Sequence, residues 1–210
     1  MRKLSLIITL LLVSLSTFAK VDEIRVYKSS RRMLLMEEGN IVKEYRIRLS
    51  FKHNNPFFQM GPKRLRGDNK TPEGIYKVKR KVTENWSNFK KSLLINYPNK
   101  EDIQWGKENG YSVKELGDAI QIHGTPKRIN PALKKFALEY LGWMITDEAE
   151  LEELMQKYIY PMVDWTNGCM ALNDDEMDEV FKLVEEGIPV KIYRANPSII
   201  ERLMNIGPAL

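Results

Sequence analysis

The residues best suited to covalent chemistry are one cysteine and one of two histidines. Cys169 is the sole cysteine of the 210-residue chain, set in Trp165-Thr-Asn-Gly-Cys-Met-Ala-Leu172. A thiol without a partner is either a small buried apolar residue or a group kept for its reactivity. Asn167-Gly168 marks a tight turn directly before the sulfur, and that favours a presented nucleophile. The thiolate is the attacking species and free cysteine titrates near about 8.5, so a base or a cation must stand nearby. His123 closes Ala119-Ile-Gln-Ile-His-Gly-Thr-Pro126, where a strand meets a loop. It is the natural base for Cys169, and backbone N–H groups at Gly168 and Cys169 are candidates for an oxyanion hole. Asn167 either adds a side-chain donor there or only shapes the turn. His53, in Lys52-His-Asn-Asn-Pro56, reads as a solvated or structural side chain. With His123 as base, the rate should rise as its imidazole loses a proton, and a flat profile from about pH 5 to 8 counts against the pair.

Other charged clusters offer less. Lys63, Arg64, Arg66 and Lys70 form a basic loop that reads as solvated surface or as an attractor of an acidic ligand, tempered by Asp68. Arginine, with its fork of donors, is the better carboxylate clamp. Two histidines without helical spacing and one cysteine do not make a zinc site. The acidic run from Asp174 to Glu179 lacks the calcium-loop pattern and instead suits the positive end of a helix. No metal or cofactor is expected.

The elements that must position these residues are strand-rich at first. Val21 to Tyr27 alternates apolar and polar positions, Arg32 to Met36 follows, and Glu38-Gly39-Asn40 turns the chain into Ile41 to Leu49, a hairpin signature. A loop punctuated by Gly and Pro, Met60 to Gly74, leads into the strand Ile75 to Val78. Leu93 to Asn96 and Ala119 to Ile122 are shorter strands. Apolar spacings of three and four predict helices over Pro131 to Leu141 and Asp147 to Tyr158. Asn173 caps a third helix with Met177, Val180, Phe181 and Val184 as its buried stripe, and Gly187 stops it. Val190 to Tyr193 closes the sheet. The fold class is therefore mostly β with minor α.

Arg2 and Lys3, the apolar run Leu4 to Leu15 and Thr17-Phe18-Ala19 read as an export signal over residues 1–19, removed on maturation. An uncleaved anchor is the alternative, and it would be the one contact with a membrane. The expected location is the periplasm or cell surface. From Lys20 the chain keeps 31 basic and 28 acidic residues, a net +3 too mild to argue for nucleic acid. Its length suits one domain with a real core.

These pieces together resemble the YkuD-type L,D-transpeptidase family, in its YafK-like branch. The resemblance rests on Ile122-His-Gly-Thr125 and Thr166-Asn-Gly-Cys169, on Gly61 to Tyr76, on Ile95-Asn-Tyr-Pro-Asn99 and on Asp164 to Asp174, and it spans residues 21–194. It implies a β-sandwich domain over 20–194, a tail from 195 to 210, and a cysteine acyltransferase of the cell wall. In the family the cysteine attacks the meso-diaminopimelate carbonyl of a peptidoglycan stem peptide, expels D-alanine and passes the acyl group to an amine. By this resemblance Cys169 is the nucleophile, His123 the base, Thr166 and Gly168 hold the turn, and Gly124 flanks the histidine. Three features depart from the family pattern. Asn167 stands where many members have histidine, and Ala171 where many have an arginine read as a substrate-carboxylate contact. Arg64, Arg66 or Arg128 is the expected replacement. His123 and Cys169 are 46 positions apart, more than the usual spacing, and the surplus, 127–161, reads as a helical lid.

Two alternatives stand beside transpeptidation. The same acyl-enzyme resolved by water gives an L,D-carboxypeptidase, an endopeptidase or an amidase that frees a lipoprotein from peptidoglycan. A non-catalytic wall-binding module that keeps the fold is the other. The partners expected are stem peptides, with a lipoprotein or other amine as acceptor.

Overall fold

A computed structural model describes residues 20–50, 61–129, 131–142, 145 and 147–195. The first strand, Glu23–Tyr27 (β1), encloses Ile24 and Val26 fully while Arg25 between them stays partly open, as a two-residue period requires. It pairs antiparallel with Arg32–Glu37 (β2), which pairs with Asn40–Arg46 (β3). Glu38 and Gly39 both take positive φ in the connecting turn, the twist that suits a tight hairpin. The remaining strands are Gly74–Thr83 (β4), Lys91–Ile95 (β5), Gln121–His123 (β6), Met170–Ala171 (β7) and Pro189–Tyr193 (β8).

These eight form one sheet in the order β3-β2-β1-β8-β4-β5-β6-β7. β8 runs parallel to β1 and antiparallel to β4, so it joins an N-terminal half to a C-terminal half. β4 shifts register between Val78 and Arg80, and the bulge lets one strand serve both β8 and β5. Beyond β3 the chain crosses to the far edge. Arg48 and Ala171 exchange both backbone hydrogen bonds at 2.9 Å, and Thr166 N donates to Leu49 O at 2.8 Å. The sheet thus curls until its two edges meet, and the Thr166–Cys169 turn lies at the seam. One apolar cluster draws on all eight strands, with Met177 and Val180 added from the helix Asp174–Leu183. The architecture is mostly β with minor helical content, as the alternation predicts.

The helices follow their caps. Asp147 accepts from Glu150 N at the start of Glu148–Leu154, which runs on as a π-turn over Met155–Ile159. With Pro131–Leu141 it fills the long connection between β6 and β7. This insertion has its own small core: Ala137, Leu151, Met155 and Tyr160 pack with Trp165 and Ala171 beside the seam. The helix Lys100–Glu108 escapes periodicity because only Asp102 and Gly106 on it are buried. Its signal is instead the reciprocal cap, with Asn99 Oδ1 accepting from Asp102 N and Asp102 Oδ2 accepting from Asn99 N. Residues 1–19, His53 and the tail beyond Ala195 lie outside the described residues.

Candidate active site

His123 and Cys169 come together through one parallel pairing. Ile122 registers with Met170 and His123 with Ala171, so Cys169 stands two positions before the partner of His123. A strand sends alternate side chains to the same face, so both groups project from that face. They line one open cavity of about 730 Å³ together with Phe89, Arg128, Trp165, Thr166 and Asn167.

The histidine is locked in place. It is 1% exposed, and Phe89 stacks on it with ring centroids 3.6 Å apart at an interplanar angle of 10°. Trp165 closes from another side at 5.5 Å. Nδ1 lies 2.7 Å from Gly124 O; a carbonyl only accepts, so Nδ1 carries the proton and Nε2 keeps its lone pair. Burial pushes the imidazole down to about 4, against a weaker opposing pull from the Gly124 carbonyl. Protonation would place an unpaired charge among aromatic rings, so the titration of His123 lies below the pH 5 to 8 window expected of it.

Backbone geometry presents the thiol. Gly168 has φ +115°, and a Cβ there would sit 2.7 Å from Lys70 O, so only glycine lets the basic loop pass so close. Thr166 Oγ1 donates to Cys169 O at 2.8 Å and accepts from Gly168 N at 3.3 Å. The Gly168 amide is thus engaged by Thr166, against its expected place in an oxyanion hole. Ala119 takes φ +57° and so offers its carbonyl to Cys169 Sγ at 3.7 Å. Cys169 keeps partial exposure, yet burial pushes its thiol up to about 11, with the Gln121 amide and the Lys63 charge opposing the rise. Both shifts favour the uncharged thiol and the uncharged imidazole.

The basic loop is a built structure rather than loose surface. Lys28, fully buried, donates through Nζ to Gly61 O and Thr71 O at 2.8 Å each and to Glu73 Oε1 at 3.1 Å, tying the loop's two ends together. Asp68 accepts from Arg64 N, Leu65 N, Lys70 N and Lys63 Nζ at its centre. Arg64 lies over the Trp105 ring at 4.4 Å and lines neither cavity at Cys169, so it does not replace the missing arginine. Gly124 is also withdrawn from the cavity. A Cβ on it would strike Asp174 Oδ1, which accepts from Thr125 N and Oγ1, so Gly124 positions the histidine instead of touching a ligand. Arg128 lines the histidine-side cavity. Arg66 lines a second cavity of about 500 Å³ on the other flank of Cys169, with Lys63, Asp118 and Asn167.

Residues 22–140 match the family model of the YkuD L,D-transpeptidase catalytic domain. The chain belongs to that family. The match stops before Cys169, at the inserted helices. Among curated proteins, the YkuD-family chain is 28% identical to YafK of Escherichia coli K12 over 145 residues, covering 58% of this chain and 57% of YafK. Among solved structures it is similar to the helical cell shape determining protein Pgp2 of Campylobacter jejuni, at 22% identity and a TM-score of 0.50. That likeness covers 84% of this chain and 49% of the Pgp2 chain. Bd1075 of Bdellovibrio bacteriovorus gives 18% identity, a TM-score of 0.50, and 85% and 49% coverage. The YkuD-family chain thus spans about half the length of these solved relatives.

Sequence reasoning missed four contributors: Phe89, the Ala119 carbonyl, the Gln121 amide and the buried Lys63. Phe89 stands alone in a polar stretch with no periodic pattern around it. Backbone groups leave no mark in residue types, and Lys63 was visible only as one of several loop cations.

Proposed function

We propose that the protein is an exported cysteine acyltransferase acting on peptidoglycan stem peptides. Cys169 is the nucleophile and His123 the general base. The reading is carried by one observation: the sole cysteine, in the turn leading into β7, and an imidazole at the end of the paired β6, its Nδ1 held by Gly124 O, line the same cavity. As Sγ attacks the carbonyl of the third stem residue, Nε2 takes the thiol proton, and imidazolium and oxyanion form together. The imidazolium then protonates the departing D-alanine amine, leaving a thioester on Cys169. The oxyanion is received by the Cys169 N–H, since the Gly168 amide is turned to Thr166. An amine attacks the thioester with Nε2 again as base, giving an L,D-linked product and free thiol.

Water in place of the amine gives the hydrolytic outcome, and the partial exposure of Cys169 at an open cavity favours it as a competing resolution. The inserted helices and Arg128 flank the cavity as the lid that selects between them. Pgp2 is a helical cell shape determining protein. Cutting or exchanging stem-peptide links is the kind of change by which this chain would reshape a wall. Mass spectrometry of purified tetrapeptide and cross-linked muropeptides, incubated with the protein, tests the reading. Trimmed or exchanged peptides and a Cys169 thioester are expected. Turnover that survives Cys169→Ala overturns nucleophilic catalysis, and muropeptide binding without any turnover by the wild type points to a wall-binding module.

A further inference from the structure

The carbonyl that holds the histidine has a support of its own. Gly124 C=O and Thr125 N–H are the two polar ends of one planar peptide group. The oxygen end lies 2.7 Å from His123 Nδ1, and the N–H end donates to Asp174 Oδ1 at 2.8 Å. Imidazole, peptide and carboxylate thus stand in one hydrogen-bonded series. Thr125 Oγ1 donates to the same carboxylate oxygen at 2.8 Å, and Thr125 is 6% exposed. The other oxygen of Asp174 holds Lys90 Nζ at 3.0 Å, but that lysine side chain is 68% exposed and the ion pair adds little. The place of Asp174 is fixed by its surroundings. Glu176 Oε2 accepts from Asn173 N at 2.9 Å and sets the helix start from which Asp174 projects. Gly124 makes room, since a Cβ there would strike Asp174 Oδ1. Asp174 lines neither cavity at Cys169. With Thr125 it faces a separate one of about 270 Å³, where Glu153, Lys157 and Asp175 are the other charges.

We propose that Asp174 is a positioning residue for the base, acting on His123 through the Gly124–Thr125 peptide group. An acceptor on the N–H end of a peptide draws charge toward its oxygen end, and a carboxylate accepts more strongly than a neutral group. The Gly124 carbonyl is thereby a better acceptor for Nδ1–H than an unsupported peptide, and its plane is held. No proton moves along the series. When Nε2 takes the thiol proton, the Nδ1 and Thr125 protons stay where they are. The positive charge gained by the ring is met by a more negative carbonyl oxygen. That charge exists in the transition state and not in the uncharged resting pair, so the contact favours the step over the ground state. The arrangement supplies part of what a carboxylate against the ring would, without burying one among Phe89 and Trp165. The inference rests on the acyl-transfer reading.

The test compares Asp174→Asn, which keeps an oxygen for Thr125 but loses the charge, with Asp174→Ala, which loses both. Asp175→Asn removes an equal charge from the same first turn of the helix and is the control. D-alanine release from a tetrapeptide is followed together with the NMR resonance of the His123 Nδ1 proton. His123→Gln assigns that resonance among the two histidines of the chain. In Asp174→Asn kcat should fall about tenfold with KM unchanged, and Asp174→Ala should lose more. The Nδ1 proton should move upfield and exchange faster in both. The acid limb of kcat should move down, since the imidazolium has lost support, whereas a ring only loosened and hydrated would move it up. Asp175→Asn should leave all three readouts as in wild type. An unmoved Nδ1 proton in Asp174→Asn, an equal loss of kcat in Asp175→Asn, or a limb that rises would each overturn the proposal while leaving acyl transfer intact. Should wild type release no D-alanine, acyl transfer fails, and the Nδ1 proton decides alone. An upfield move in Asp174→Asn that Asp175→Asn does not share supports the proposal, and an unmoved or equally shifted resonance overturns it.

Discussion

His123 Nδ1 and the carbonyl oxygen of its sequence neighbour Gly124 lie 2.7 Å apart, so the ring is oriented by the residue that follows it. No carboxylate is needed to set the tautomer, and the forces acting on its titration are burial and that carbonyl. The imidazole is tuned downward by exclusion of water alone. That makes its environment, rather than a charge partner, the quantity to perturb.

Activity should be level in His123 protonation from about pH 8 down to pH 5 and fall by half near pH 4, because only the neutral ring can take the thiol proton. Phe89→Ala removes the stacked ring, readmits water, and should move that limb upward by about one unit or more. Initial rates over pH 3.5–8 for both proteins read this out. A wild-type limb already at pH 6.5 would mean that the imidazole is hydrated.

Alkylation by iodoacetamide in the absence of substrate should be slow at pH 7 and still climbing at pH 10, since burial holds the thiol at about 11. Stopped-flow or quenched mass measurements give the profile. A plateau at neutral pH would indicate a resting thiolate–imidazolium pair and contradict the neutral ground state.

Gly168→Ala forces a side chain into a conformation that L residues avoid and against Lys70 O. It should cost about 2 kcal/mol or more of stability and remove thioester formation. Gly187→Ala is the matched control: φ is also positive there, at +90°, but no atom lies within 4 Å of the new Cβ. It should cost about 1 kcal/mol and leave thioester formation unchanged. Urea unfolding of the two variants distinguishes a local clash from a general intolerance of substitution.

Lys28→Met leaves Glu73 and two backbone carbonyls buried without their cation, although Arg194 remains 3.4 Å from the other Glu73 oxygen. A loss of about 3–5 kcal/mol is expected. Adding Glu73→Gln should recover part of it, because a neutral pair carries less desolvation cost than an isolated carboxylate. Chemical denaturation of the single and double variants checks the sign, and no recovery would show that the carbonyls, not the ion, set the loss.

Much of this layout was legible in the chain. The β1–β3 hairpins, the Asn173-capped helix and both inserted helices follow from local period and capping, which are properties of neighbouring residues. The parallel pairing of β1 with β8 and the Arg48–Ala171 closure were not, because they join segments more than a hundred residues apart and depend on no local pattern. The pair Cys169 and His123 could be named from residue type, yet the depressed imidazole could not. It arises from Phe89, Trp165 and a backbone carbonyl meeting around one ring. Arg64 illustrates the opposite failure: its type suits a carboxylate, but Trp105 claims its guanidinium.

The strand Pro189–Tyr193 has a consequence for assembly. It is the keystone between the β1–β3 hairpins and the arm that carries the histidine, and it is the last of the eight described strands in chain order. Until it docks, the two portions of the sheet pair only at the Arg48–Ala171 seam, and β1 and β4 each lack one paired neighbour. The cavity that holds His123 and Cys169 therefore depends on a strand that lines none of it, and a protease cut just ahead of Pro189 would loosen that cavity without touching any residue in it.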